Sequence, residues 1–180
     1  FSNAKITPAK PKTFENGRIQ PPSIDQNIDA KINAYSDIPS YNLEILNKDD
    51  LINKLKEWEI YGRVYAVNAK DSTPLDTINV YLTDIEQPEH KLLQTGTGVL
   101  YSSKTTFSGN SAKILVYVSP KTLSDTKLSA TDKGMIVEEA LIVALYSYAH
   151  TYEPASKIQA EYTTILKELG KNKQSNFAIN

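Results

Sequence analysis

The sequence predicts an α+β domain: an antiparallel sheet of about four strands, with one helix before it and two C-terminal helices packed on one face. Three observations predict this class. Residues 140–149 are all apolar or aromatic except Ser147, and a helix of that composition belongs in an interior. Four runs between residues 60 and 118 are rich in strand-forming residues, and their short connections favour antiparallel pairing. Helical apolar patterns flank this strand region on both sides.

The first forty residues are predicted to be an extended, proline-rich leader or linker. Five of the nine prolines lie there, and the segment is polar without a sustained period. Segments of this kind often join a signal sequence or membrane anchor to a folded domain. We therefore expect a location outside the cytoplasm, which means secreted, periplasmic or surface-anchored. A single α+β domain is expected over residues 41–171, and residues 172–180 are predicted to be a polar tail that frays.

Local signals define the predicted elements. A helix begins at Lys48, because Asn47 is a favourable N-cap and an apolar stripe follows. The central helix is preceded by Ser129 and Asp132, which have the spacing of a capping box. The last helix begins near Pro154 and ends at Gly170. The predicted strands cover residues 60–67, 77–83, 91–102 and 113–118, and the last of them has the continuous apolarity of a central strand.

Composition excludes several classes of function. Twenty basic and twenty-one acidic residues give a net charge of -1, so no strong field attracts nucleic acid or an anionic membrane, and no nucleic-acid partner is expected. No apolar run reaches the roughly 18 residues that cross a bilayer. Cysteine is absent, which removes disulfides, thiol catalysis and cysteine-ligated metals.

The candidate binding residues are aromatic and lie at the end of the long helix. Eleven tyrosines against four phenylalanines and one tryptophan are typical of half-buried rings with wet hydroxyls. Tyr148 and Tyr152 share a helix face at a spacing of four residues. Such clusters suit contacts with protein or glycan, and covering the edge of the core is the alternative role. The candidate set is Tyr146, Tyr148, His150 and Tyr152.

An alternative acidic site lies at the start of the same helix, at Asp132, Glu138 and Glu139. Neighbouring helical residues are about 100° apart, so only one of the two glutamates points into a given pocket. The run lacks both histidines of His-Glu-x-x-His, so neither a metal nor a cofactor is predicted. The structural alternative is that the two glutamates mark the solvated end of a buried helix.

The sequence therefore favours a non-enzymatic binding or scaffolding domain that acts through protein contacts outside the cytoplasm. Two alternatives stay open. The first is a hydrolase with a carboxylate-lined cleft at the start of the 132–150 helix. The second is a structural subunit of a phage or secretion apparatus, whose termini become ordered on assembly. The sequence identifies neither the partner nor the oligomeric state.

Overall fold

The computed structural model describes residues 12–13, 19–20, 31–58, 60, 75–87, 91–95, 98–151, 153–172 and 174–180. Within these ranges the strands are β1 (Lys12–Thr13), β2 (Ile19–Gln20), β3 (Lys31–Ser36), β4 (Leu43–Ile45), β5 (Thr77–Thr83), β6 (Lys91–Thr95), β7 (Gly98–Ser108), β8 (Ser111–Tyr117) and β9 (Phe177–Ile179). The helices are α1 (Lys48–Glu57), α2 (Pro120–Leu123), α3 (Ala130–Ala149) and α4 (Ala155–Asn172). The predicted strand over 60–67 lies almost wholly outside the described residues.

The main sheet is mixed, with the strand order β3-β5-β8-β7-β6. Strands β3, β5 and β8 are parallel, whereas β7 is antiparallel to both β8 and β6. The prediction of an antiparallel sheet is therefore wrong for its parallel half. The segment between β3 and β5 contains α1 and is long enough for the crossover that parallel neighbours require. The leader predicted over residues 1–40 includes residues 31–36, which form β3, so the sequence predicts neither this strand nor its crossover.

The inner face of the sheet is apolar and packs against α3. Alternate residues of the parallel strands are fully buried there, including Ile32, Ile78 and Ile114. As its composition predicts, the middle of α3 is buried nearly all round, because the sheet, α4 and β9 each contact it. Helix α4 packs mainly against α3 and reaches the sheet at β6, so the predicted packing of both C-terminal helices on the sheet is only partly confirmed. No described helix has both the length and the apolar character that crossing a membrane requires.

The C-terminal residues form part of the core. Strand β9 pairs antiparallel with β4 and lies against α3, and Phe177 is completely buried. Gly134 of α3 permits this approach, because a Cβ atom there would lie 1.8 Å from the carbonyl oxygen of Phe177. The prediction that residues 172–180 fray is wrong for Phe177–Ile179. The polar residues before this short apolar run concealed a strand whose partner lies far away in sequence.

Candidate functional site

The face of the sheet opposite α3 is polar and aromatic, and we call it the outer face. Successive residues of a strand point to opposite faces, so the neighbours of the buried residues lie here. Among the described side chains, all of these are exposed or half-buried except Thr83 at the end of β5, which is buried. Strand register arranges them in three rows across β3, β5, β8 and β7. The rows are Lys31, Thr77, Ser111 and Ser108; Asn33, Asn79, Lys113 and Thr106; and Tyr35, Tyr81, Leu115 and Lys104.

Contacts between neighbouring strands hold the centre of the outer face in a fixed arrangement. The side-chain amide of Asn33 donates a hydrogen bond of 2.9 Å to Asn79 Oδ1. The rings of Tyr35 and Tyr81 stack, with centroids 4.7 Å apart and an angle of 20° between planes. Lys113 Nζ lies 4.8 Å from the centroid of Tyr81, within the range of a cation–π interaction. Because β3 and β8 flank β5, Tyr81 lies between Tyr35 and Lys113.

The outer face is locally cationic. The five strands of the main sheet contain no Asp or Glu, although the chain has twenty-one acidic residues. Among the side chains that the structure describes, Lys31, Lys104 and Lys113 lie on the outer face. Carboxylates lie at strand ends instead. Asp76, just before β5, accepts hydrogen bonds of 2.9 Å from Asn110 Nδ2 and 2.8 Å from Thr77 Oγ1.

The predicted aromatic set is divided between two sides of α3. Tyr146 and His150 are 5% and 4% exposed, and their rings stack with centroids 4.1 Å apart. The Tyr146 hydroxyl donates to Glu161 of α4, and His150 Nδ1 lies 3.4 Å from Glu153 Oε2. The Tyr146–Glu161 hydrogen bond joins α3 to α4, whereas Glu153 lies in the connection between the two helices. Because both rings are buried in this way, neither offers an accessible contact to a partner.

Tyr148 lies on the other side of α3. Its ring stacks on Phe107 of β7, with centroids 3.4 Å apart, so it contributes to the contact between helix and sheet. Tyr152 lies outside the described residues. The structure thus brings Tyr146 and His150 together and separates Tyr148 from them. A binding role for this set stays a prediction that the geometry does not favour.

The predicted acidic residues do not converge either. Asp132 is exposed and closes the capping box, in which the Ser129 backbone N–H donates to Asp132 Oδ2 at 2.9 Å. Glu138 and Glu139 are both fully buried, so the interpretation that they mark a solvated helix end is wrong. Because adjacent helical positions diverge by about 100°, the two glutamates point in different directions.

Glu138 holds the segment that precedes β9. Its Oε1 accepts hydrogen bonds from the Asn176 backbone N–H at 2.6 Å and from Ser175 Oγ at 3.3 Å. Burial raises the pKa of Glu138, and the hydrogen bonds and the charge of Lys54 lower it by less. These contacts describe a structural carboxylate that connects α3 to the C-terminal segment.

A shallow polar cleft of about 420 Å³ lies beside this segment. Its lining residues are Leu46, Asn47, Asp50, Lys54, Thr131, Gln174, Ser175 and Asn176. Lys54 Nζ lies 3.2 Å from Asp50 Oδ2, so the two charges in the cleft pair with each other. Within the described ranges, no three His, Cys, Asp or Glu residues come close enough to hold a metal ion.

Sequence reasoning missed the outer face as a site. The alternation in 77–83 places Ile78, Val80 and Leu82 inward, which already implies that Asn79 and Tyr81 point outward. The same alternation runs through residues 31–35. The signals that indicate this face are the second alternating run and the absence of Asp and Glu from the five strands of the main sheet.

The fold and the site define a mixed α/β domain in which α3 covers one sheet face and the described side chains of the other face are mostly exposed or half-buried. Comparison of the chain with protein-family models, with curated proteins and with solved structures gives no match. The functional inference therefore depends on the geometry and chemistry of the described residues.

Proposed function

We propose that this chain is a non-enzymatic binding domain that contacts another protein through the outer face of its sheet. One observation carries the proposal: among the described residues, the three parallel strands have one face that is almost fully buried and an opposite face that is mostly exposed or half-buried. Parallel strands are usually covered on both faces, yet Tyr35 is 44% exposed on this sheet. A partner would supply the second cover, and the stacked tyrosines with their neighbouring lysine offer it a fixed contact surface.

The character of the outer face supports protein as the partner. Tyrosine is enriched in protein interfaces, because its ring contributes apolar area and its hydroxyl contributes a hydrogen bond. The Asn33–Asn79 hydrogen bond and the Tyr35–Tyr81 stack reduce the side-chain freedom that binding would otherwise remove. A surface fixed in this way costs less entropy to bind than a mobile one.

The hydrolase alternative gains no support from its candidate residues. Asp132 caps α3, Glu138 accepts hydrogen bonds from the C-terminal segment, and Glu139 is buried on a different side of the helix. Catalysis by a carboxylate needs that group within reach of a bound substrate.

The alternative of an assembly subunit predicts concentration-dependent oligomers, which sedimentation velocity would detect.

The location outside the cytoplasm belongs to the same proposal. The absence of cysteine and the proline-rich first forty residues support it. Fractionation of the producing cell, followed by immunoblotting, tests it directly. Recovery of the protein only with the cytosolic fraction would overturn this part of the proposal and leave the binding role standing.

A display library of short random peptides tests the binding role. Peptides selected on the wild-type protein are titrated into it, and NMR follows the side-chain amide signals of Asn33 and Asn79. We expect both signals to shift, and we expect Tyr35→Ala to weaken binding by roughly tenfold or more, as for a central interface tyrosine. The control is Ile85→Ala, because Ile85 is 65% exposed and lies beyond the end of β5, outside the three rows of the outer face.

Equal affinity for wild type and Tyr35→Ala would overturn the proposal. So would amide shifts confined to residues off the outer face. Near-UV circular dichroism of each variant establishes that the fold is retained before affinities are compared.

A further inference from the structure

We infer that the partner presents an acidic segment to the outer face. The inference rests on the proposed function and adds the chemistry of the partner. Lys31, Lys104 and Lys113 lie on this face, and none of the five strands contributes a carboxylate to it. A partner segment rich in Asp and Glu would complement this charge, whereas a basic segment would be repelled.

The arrangement of the lysines supports an extended acidic segment. Lys113 lies in the middle row and Lys104 in the third row, on neighbouring strands β8 and β7. Lys31 lies at the start of the edge strand β3 and already interacts within the chain. Lys104 and Lys113 therefore lie to one side of the two tyrosines, and a segment crossing the strands along the third row would pass from Lys104 over Leu115 to Tyr81 and Tyr35.

The ring geometry disfavours a single-stranded nucleic acid. Proteins that bind such strands offer aromatic faces on which bases stack. Here one side of Tyr81 is stacked by Tyr35 and the other is approached by Lys113. Around Tyr81 the outer face therefore presents ring edges and hydroxyl groups, which suit contacts with peptide side chains. The strands of the sheet contain no arginine, and the whole chain has a net charge of -1, so no broad attraction for phosphate exists.

Charge-reversal variants test the inference. The first variant combines Lys104→Glu with Lys113→Glu. Its control combines Lys121→Glu with Lys167→Glu, two exposed helix lysines, and changes the net charge by the same amount. A third variant, Lys104→Gln with Lys113→Gln, removes the charge without reversing it, in case the reversal disturbs the Tyr81 contact. Each variant is titrated with peptides selected on the wild-type protein.

We expect the selected peptides to be richer in Asp and Glu than the starting library. Binding should weaken roughly tenfold or more for the reversal variant, less for the glutamine variant, and stay unchanged for the control. Raising the salt concentration should weaken binding to the wild type and have a smaller effect on the glutamine variant.

The other outcomes distinguish the two proposals. Neutral or basic peptides that bind at the outer face would overturn the acidic partner and leave the binding role intact. Failure to select any peptide that binds there would overturn both. Oligodeoxythymidine serves as a separate probe. If it binds the wild type and the reversal variant abolishes that binding, the partner is a nucleic acid and the inference is wrong.

Discussion

Two substitutions of Glu138 distinguish the effect of its charge on stability from the effect of its hydrogen bonds. The carboxylate is fully buried, and its Oε1 accepts the Asn176 backbone N–H at 2.6 Å. Glu138→Ala removes the acceptor and leaves that N–H without its partner. An unsatisfied buried donor costs about 1–3 kcal/mol, and the space left by the side chain adds to this, so we expect destabilisation of roughly 2–4 kcal/mol.

Glu138→Gln keeps an oxygen that accepts from Asn176 and removes the charge. Since burial raises the pKa of Glu138, the ionised form is the one that the folded protein disfavours. The glutamine variant should therefore lie within about 1 kcal/mol of wild type near neutral pH, on either side. It should be clearly more stable than Glu138→Ala.

The pH dependence gives the sharper test. A raised carboxyl pKa means that the folded state binds the proton more tightly than the unfolded state. The contribution of Glu138 to stability is therefore greatest in acid, and it falls as pH rises from the ordinary value of 4.5 through the raised value. Other carboxylates change the total stability in the opposite sense as pH rises. The informative quantity is therefore the free energy of unfolding of wild type minus that of Glu138→Gln at each pH.

Urea unfolding at a series of pH values measures that difference. We expect the free energy of unfolding of Glu138→Gln to gain on that of wild type as pH rises. A difference that stays constant with pH, or that changes in the opposite direction, would refute the assignment of burial as the dominant effect. An alanine variant as stable as the glutamine variant would refute the role of the Asn176 hydrogen bond.

Three further substitutions, one of them with a matched control, test the packing around α3. Gly134→Ala should destabilise the protein by about 2 kcal/mol or more, because its Cβ would meet the Phe177 carbonyl. The matched control is Gly170→Ala, whose Cβ meets nothing within 4 Å. It should be neutral or stabilising by up to about 1 kcal/mol. Thermal unfolding of this pair checks both, and equal effects would contradict the close approach. Phe177→Ala should cost about 3–5 kcal/mol by urea unfolding, and a loss below 1 kcal/mol would mean that β9 is dispensable. Leu141→Asp places a carboxylate at a fully buried position and should prevent folding. The free-energy cost of burying an unpaired carboxylate rivals the whole stability of about 5–15 kcal/mol. A soluble variant with cooperative unfolding would contradict the interior position of α3.

Features specified by neighbouring residues could be predicted from the sequence. Asn47 caps α1 by accepting the Asp50 backbone N–H at 3.0 Å, as its residue type and position predict. Both hydrogen bonds of the capping box at Ser129 and Asp132 are present. The buried helix follows equally directly from its composition. Each of these signals lies within a few residues of the feature it specifies, so no knowledge of distant pairing is needed.

Pairing between distant segments could not be predicted in the same way. Strand β9 is three residues long, and its partner β4 begins more than a hundred residues earlier. Nothing in Phe177–Ile179 alone distinguishes a strand from a tail with three apolar residues. The parallel arrangement of β3 and β5 is equally non-local, because short alternating runs indicate which side is buried without indicating their neighbours.

The outer face depends on both kinds of information. Alternation along each strand assigns Tyr35, Tyr81 and Lys113 to the side away from the core, and this much is local. The approach of Tyr35 and of Lys113 to within 5 Å of the Tyr81 ring depends on the order β3-β5-β8. Which side chains point outward depends in turn on the packing of the inner face against α3, since burial of the inward residues fixes the register of each strand and a one-residue slip would exchange the two faces. The same packing that hides Glu138 and Tyr146 from a partner therefore aligns the tyrosines and lysines that a partner would meet.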